Sequence, residues 1–254
     1  MFAEQVIPPS PAIGRGDRGE GSTRVVIASR DCYFPHMTDL GPSVVVNEVY
    51  ASIQGESSYA GLPCVFVRLT GCNLRCTYCD TEYAFNDGER RAVADLVAQV
   101  RGFGIGLVEI TGGEPLIQKD CVALAGGLLD AGLTVLIETS GAQPIDALPA
   151  DVIRIMDIKC PSSGECDKMD WSNLDCLKSQ DEVKFVVGNR EDYEWAKQVI
   201  KQHDLSAKCS ILISTVYGQV TPKDVAGWIL EDKLPARFQL QMHKYIWDPT
   251  ERRV

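Results

Sequence analysis

Three cysteines stand close together in the run GCNLRCTYCDT at residues 71–81: Cys72, Cys76 and Cys79, spaced C-x3-C-x2-C. Three thiolates this near in sequence converge only if the loop wraps around one object. Soft sulfur donors select zinc, copper(I) or an iron–sulfur cluster. A structural zinc site takes four ligands, and a 4Fe-4S cluster normally takes four cysteines. The loop supplies three. Either a distant ligand completes the set, or one iron stays open and a small molecule can bind there. A second run, TGGEP at residues 111–115, is either a plain turn or a place where two glycines let backbone approach a ligand.

These loops need elements to position them. CVFVRLT at 64–70 is apolar and β-branched and predicts a buried strand leading into the cysteine loop. Residues 107–110 predict another, ending at TGGEP. Further strands are expected at 44–50, 134–139, 152–158, 183–187, 209–214 and 237–240. Helices are expected at 92–100, 121–130, 191–202 and 223–230, the last opened by Thr221-Pro222. Residues 162–181 are polar and irregular and predict a loop or insertion. Strands alternating with helices argue for an α/β fold with a parallel sheet wound right-handed. Ligands should then gather at the carboxyl ends of the strands, and each of the loops above follows a strand.

The chain has 254 residues, enough for one sizeable domain. Residues 1–42 are rich in Pro, Gly, Ser and charge, without periodicity, and read as a mobile extension ahead of a catalytic domain at 43–254. A net charge of -10 argues against direct nucleic-acid binding, which needs a basic surface. The ten cysteines show no regular framework, no apolar run is long enough to span a bilayer, and no secretory signal is visible. A reducing cytoplasm is expected.

Strand, C-x3-C-x2-C loop, helix, strand and GGEP loop, in that order, resemble the radical S-adenosylmethionine (SAM) superfamily. Further runs narrow the likeness: QGE at 54–56, FVRLTGCNLRCTYCDT from 66, ETSG at 138–141, DIKCP at 157–161 and QMHKYIW from 241. Together they resemble the 7-carboxy-7-deazaguanine synthase family over about residues 44–254. The resemblance implies a partial TIM-type barrel with helices outside. It implies a 4Fe-4S cluster on Cys72, Cys76 and Cys79, with the fourth iron chelated by SAM. Reduction then yields a 5'-deoxyadenosyl radical that takes a hydrogen from substrate. The implied reaction is contraction of 6-carboxy-5,6,7,8-tetrahydropterin to 7-carboxy-7-deazaguanine with loss of ammonia, on the way to queuosine and other deazapurines. Magnesium, a flavodoxin-like reductant and a homodimer are implied with it.

Carried over by position, SAM is expected to meet Tyr78, Cys79, Asp80, Gly113, Glu114, Asp157, Lys159 and Ser214. Gly113 and Glu114 can offer an N–H and a carboxylate to its ammonium group. Thr81 stands at the magnesium position; a hydroxyl suits that hard ion, and a turn-capping threonine is the alternative. The pterin is expected to meet Ile53, Gln54, Gly55, Arg68, Thr111, Glu138 and His243. Arg68 could hold a carboxylate through its planar fork or form a surface ion pair. Glu138 could read the amino and ring N–H groups of a pterin; an unpaired acid at the end of an apolar run is otherwise costly. Three features depart from the family's pattern. Ser57 replaces a frequent glycine after QGE, the extension before Val44 has no counterpart in the family, and the chain continues to WDPTERRV, so that Val254 need not reach the site.

Two other readings share parts of this pattern. A radical SAM activase, making a glycyl radical on a partner enzyme, would use the same cysteine loop but has no need of a pterin pocket. A noncatalytic metal-binding or electron-transfer module needs a fourth close ligand and leaves TGGEP unexplained.

Overall fold

A computed structural model describes residues 41–254. The expected extension at 1–42 therefore falls, except for Gly41 and Pro42, outside the described residues. The chain opens with β1 (Ser43–Ile53), which turns back into β2 (Pro63–Leu69) as an antiparallel pair. Only nine residues lie between them, too few for the crossover that a parallel pair requires. A short strand, β3 (Glu89–Ala92), pairs antiparallel with the outer side of β1. The expected parallel sheet stands, with this antiparallel start added to it.

From β2 onward every pairing is parallel. The strands are β4 (Leu107–Gly112), β5 (Thr134–Thr139), β6 (Ile153–Asp157), β7 (Glu182–Val187), β8 (Ser210–Thr215) and β9 (Arg237–Phe238). Their order in the sheet is β3-β1-β2-β4-β5-β6-β7-β8-β9, with β3 and β9 as unjoined edges. The sheet is therefore an open, partial barrel. Helices α1 (Val93–Gly102), α2 (Cys121–Asp130), α3 (Arg190–Gln202), α4 (Leu205–Lys208) and α5 (Pro222–Asp232) connect successive strands. A last helix, α6 (His243–Ile246), holds most of the HKYIW run. Residues 162–181, expected to be irregular, contain 3-10 turns, among them Cys166–Lys168 and Trp171–Asp175.

The two faces of the sheet are built differently. Alternate residues such as Val67, Ile110, Ile137, Val183 and Ile213 point to the helices and form the main core with Leu96, Leu124, Leu128 and Ile200. The opposite, concave face is apolar only toward the amino ends of the strands, where Cys64, Phe66, Leu107, Leu136, Ile153 and Ile155 pack together. Two positions further along the same strands come Arg68, Glu109, Glu138 and Asp157, and Lys184 stands beside Asp157 in β7. Burial on both faces explains the nearly unbroken apolar runs. A bulge between Val46 and Glu48 shifts the register of β1. Without it Glu48 would follow Val44 and Val46 onto the helix side; with it, Val49 joins the main core and Glu48 turns to the concave face.

Candidate active site

The polar end of the concave face opens into a cavity of about 800 Å³. Cys72, Cys76 and Cys79 line one end of it. The loop that carries them is held by backbone. Gly71 N donates to Ala84 O at 2.9 Å and Glu114 N donates to Gly71 O at 2.9 Å. Thr77 N donates to Ser163 O at 3.0 Å, so the segment after β6 braces the loop from the other side. Gly113 is needed for this packing. A Cβ there would lie 2.3 Å from Gly71 O and 2.6 Å from Cys72 Cβ. Burial raises all three thiols, Cys76 to about 11. They are neutral until something displaces their protons, as metal binding does.

Glu114 does not face the cavity. It is fully buried, and its carboxylate accepts from Leu116 N (3.0 Å), Thr139 Oγ1 (2.9 Å), Ser140 N (2.7 Å) and Ser140 Oγ (2.6 Å). Four donors of its own chain occupy it, so it ties the end of β4 to the end of β5. The carboxylate expected to meet the ammonium group of SAM is thus taken up by these donors. Ser214 is likewise absent from the cavity wall: it is fully buried in β8 and its hydroxyl has no partner. Tyr78, Asp80, Thr81, Gly113, Asp157 and Lys159 do line the cavity near the cysteines. The Tyr78 hydroxyl donates to Val186 O at 3.4 Å. Lys159 Nζ donates to Asp157 Oδ2 at 2.8 Å, while Asp157 Oδ1 is buried without a partner. The Thr81 hydroxyl donates to Asp80 Oδ1 at 2.9 Å. Burial alone would push the Asp80 carboxyl up, but Lys244, 2.7 Å away, holds it well below the usual range.

At the other end stand Ile53, Gln54, Gly55, Arg68, Thr111, Glu138 and His243. Gly55 sits directly against His243: an added Cβ would lie 2.5 Å from its Nδ1. Met242 N also donates to Gly55 O at 2.8 Å, so the QGE loop and the chain's last helix form one wall. Burial, offset in part by Glu56, keeps His243 below its ordinary value and neutral at pH 7. Ser57 takes a left-handed backbone (φ 63), the conformation that glycine adopts without strain. Its N–H donates to Gln239 Oε1 at 2.7 Å.

Arg68 is neither free nor part of a surface pair. Its Nε is 2.9 Å from Glu48 Oε1, in a pair almost closed to solvent, and its Nη2 donates to Tyr50 at 3.2 Å. Arg253 Nε reaches the other Glu48 oxygen at 3.2 Å, and the Arg252 guanidinium lies 3.6 Å from the Tyr83 ring centre. The tail after α6 thus covers the cavity mouth, and Val254 lines it.

Three residues of this end were not foreseen. Lys184 carries a buried ammonium 2.9 Å from Glu56 Oε2 and 3.6 Å from Asp157 Oδ2, and it is hydrogen-bonded to Glu138 Oε1. Glu109 accepts a hydrogen bond from Gln54 Nε2. Burial first, then Glu138 and Glu56, push the Glu109 carboxyl well above its ordinary value. Glu48 is the partner of Arg68. The available signal was a charged residue at an inward position of an apolar strand, as in VKFVV and LVEIT. Such a group must be paired.

The fold and the site define a radical SAM protein. Residues 66–220 match the Radical SAM superfamily model. A 7-carboxy-7-deazaguanine synthase of Koribacter versatilis (strain Ellin345) is 46% identical over 224 residues, 82% of this chain and 99% of that protein. The one of Methanospirillum hungatei JF-1 is 47% identical over 205 residues, 80% of this chain and 86% of that one. The chain belongs to the 7-carboxy-7-deazaguanine synthase family. The solved structure of QueE from Escherichia coli shares the fold, with a TM-score of 0.68 at 21% identity over 82% of this chain and all of that one.

The cofactors of this superfamily are a 4Fe-4S cluster and SAM, and the residues fit them. Three soft donors, Cys72, Cys76 and Cys79, line the one cavity. The unpartnered Asp157 oxygen beside them is an acceptor awaiting a donor. No helix among the described residues is long and apolar enough to cross a membrane.

Proposed function

We propose that the chain forms 7-carboxy-7-deazaguanine from 6-carboxy-5,6,7,8-tetrahydropterin, with loss of ammonia. One observation carries this reading: a single cavity has three thiols at one end and an acid–lysine group at the other. Cys72, Cys76 and Cys79 hold the cluster, which when bound supplies the electron that opens SAM to a carbon radical. Tyr78, Asp80, Gly113, Asp157 and Lys159 receive SAM. Asp157 Oδ1 is the acceptor for its ammonium group.

Glu138 accepts from the amino and ring N–H groups of the pterin. Gln54, Thr111 and neutral His243 enclose the ring, with Ile53 and Gly55 beside it. Arg68, already aimed by Glu48 and Tyr50, faces the substrate carboxylate. Thr81 beside Asp80 offers hard oxygens to magnesium. The tail over the mouth excludes water while the radical exists. A flavodoxin-like donor, a homodimer, a cytoplasmic location and a supply of product to queuosine or other deazapurines complete the proposal.

The test is anaerobic reconstitution with iron and sulfide, then incubation with the carboxypterin, SAM, magnesium and reductant. We expect the deazapurine and ammonia in equal amounts. An intact, SAM-responsive cluster that yields no deazapurine would overturn the reading.

A further inference from the structure

We propose that Lys184 is the positioning residue that sets the acids of the pterin end, holding Glu56 and Glu138 there and Asp157 at the SAM end in one arrangement. The proposal rests on the pterin-contracting function given above.

The geometry is specific. Lys184 lies in β7 with only 4% of its side chain exposed. Its ammonium group is hydrogen-bonded to Glu138 and lies 2.9 Å from Glu56 and 3.6 Å from Asp157. Those acids come from three other places: β5, the loop after β1, and the end of β6. An ammonium group has three N–H donors, and here three carboxylates surround it. A compact point charge can serve all three, whereas a planar guanidinium would favour one.

The other charged or titratable groups around this centre do not replace it. Glu109 from β4 adds a fourth acid, whose proton burial holds more tightly than usual. Arg68 and Tyr50 are engaged with Glu48 and each other. Lys159 is committed to Asp157 from the far side, and His243 is neutral. Glu56 is steadied further by Gln239 and Gln241. Without Lys184, Glu56, Glu138 and Glu109 would share a largely buried space with no cation among them. That is the expensive case for buried charge, and the acids would take up protons and turn.

The test is calorimetric binding of 6-carboxy-5,6,7,8-tetrahydropterin to the anaerobic, reconstituted enzyme with SAM, from pH 6.5 to 9. Each variant is compared with wild type at the same pH, so that ligand titration cancels. Lys184→Met should bind about 100-fold more weakly at pH 6.5, on the scale of a broken buried ion pair. The deficit should shrink as pH rises and the acids lose their extra protons. Glu56→Gln combined with Lys184→Met removes one negative charge along with the positive one and should recover most of the affinity. Lys184→Arg keeps the charge, so it should fold, bind about 10-fold more weakly and show the wild-type pH profile.

Binding by Lys184→Met within twofold of wild type, a deficit equal at every pH, or no recovery in the double variant would each overturn the proposal. If Lys184→Met does not fold, the double variant and Lys184→Arg decide it: a double variant that binds about 100-fold more weakly than wild type, or an altered pH profile in Lys184→Arg, overturns it. A wild-type enzyme that binds no pterin overturns both this and the functional reading. Binding by wild type with indifferent variants overturns this inference alone.

Discussion

The two ends of the cavity are made in opposite ways. At the cysteine end the donors come from one short loop, and its neighbours touch it through backbone: Gly71 to Ala84, Glu114 to Gly71, and Gly113 against Cys72. At the acid end no two of Glu109, Glu138 and Lys184 share an element, and side-chain charge does the holding. The first end tolerates little change of shape. The second tolerates little change of charge.

The contrast can be tested by what each end loses. The largest effect is expected at the loop itself. Cys76→Ala should remove the cluster's visible absorbance, most of the bound iron and all turnover; retained turnover would refute the ligand role. Next is Glu138→Gln, which changes charge with little change of shape. It should weaken pterin binding about 10- to 100-fold, the scale of a hydrogen bond to a charged group. Uncoupled SAM cleavage should be spared; equal losses of both would mean that the two ends are not separable.

Gly113→Ala makes the reverse change, shape without charge. Its Cβ must displace the Gly71 backbone, at about 1–3 kcal/mol of stability, and reconstituted iron content should fall while pterin affinity holds. Normal iron loading would show that the loop gives way more easily than its backbone contacts suggest.

The smallest expected change is a slope. Glu109 keeps its proton in the folded protein above the pH at which the unfolded chain loses it. The folded state then binds more protons, so Glu109 makes stability fall as pH rises from about 4.5 toward its raised native value, by about 1 kcal/mol per pH unit. Glu109→Gln should flatten that slope in thermal unfolding from pH 5 to 8. An unchanged slope would mean that the acid is ionised in place.

The same contrast separates what could be read from the chain and what could not. The cysteine loop is a contiguous motif. The strand before it, CVFVRLT, shows the burial its residue types demand, with Val65, Val67 and Leu69 inward to the helices. The alternation of strands and helices from β4 to α5 was legible for the same local reason. The antiparallel β1–β2 start was not, because strand direction depends on which neighbours pair.

The place of Glu114 in TGGEP suggests a free carboxylate, while its donors lie two residues away or at the carboxyl end of β5. Lys184 was passed over because its run reads as a plain apolar strand, and its three acids are 27 to 128 residues away in sequence. The QGE loop and the tail, each ambiguous alone, become one wall through the close approach of Gly55 and His243.

By itself the sequence determined the three-sulfur donor set, the order of strands and helices, and the superfamily, because these depend on residue type and short-range spacing. Only the tertiary structure decided which acids face one another, which one burial makes harder to ionise, that the Glu114 carboxylate is spoken for, and that a single lysine balances the far end. Those outcomes depend on through-space charge and burial, which the folded sheet creates by bringing distant strands side by side.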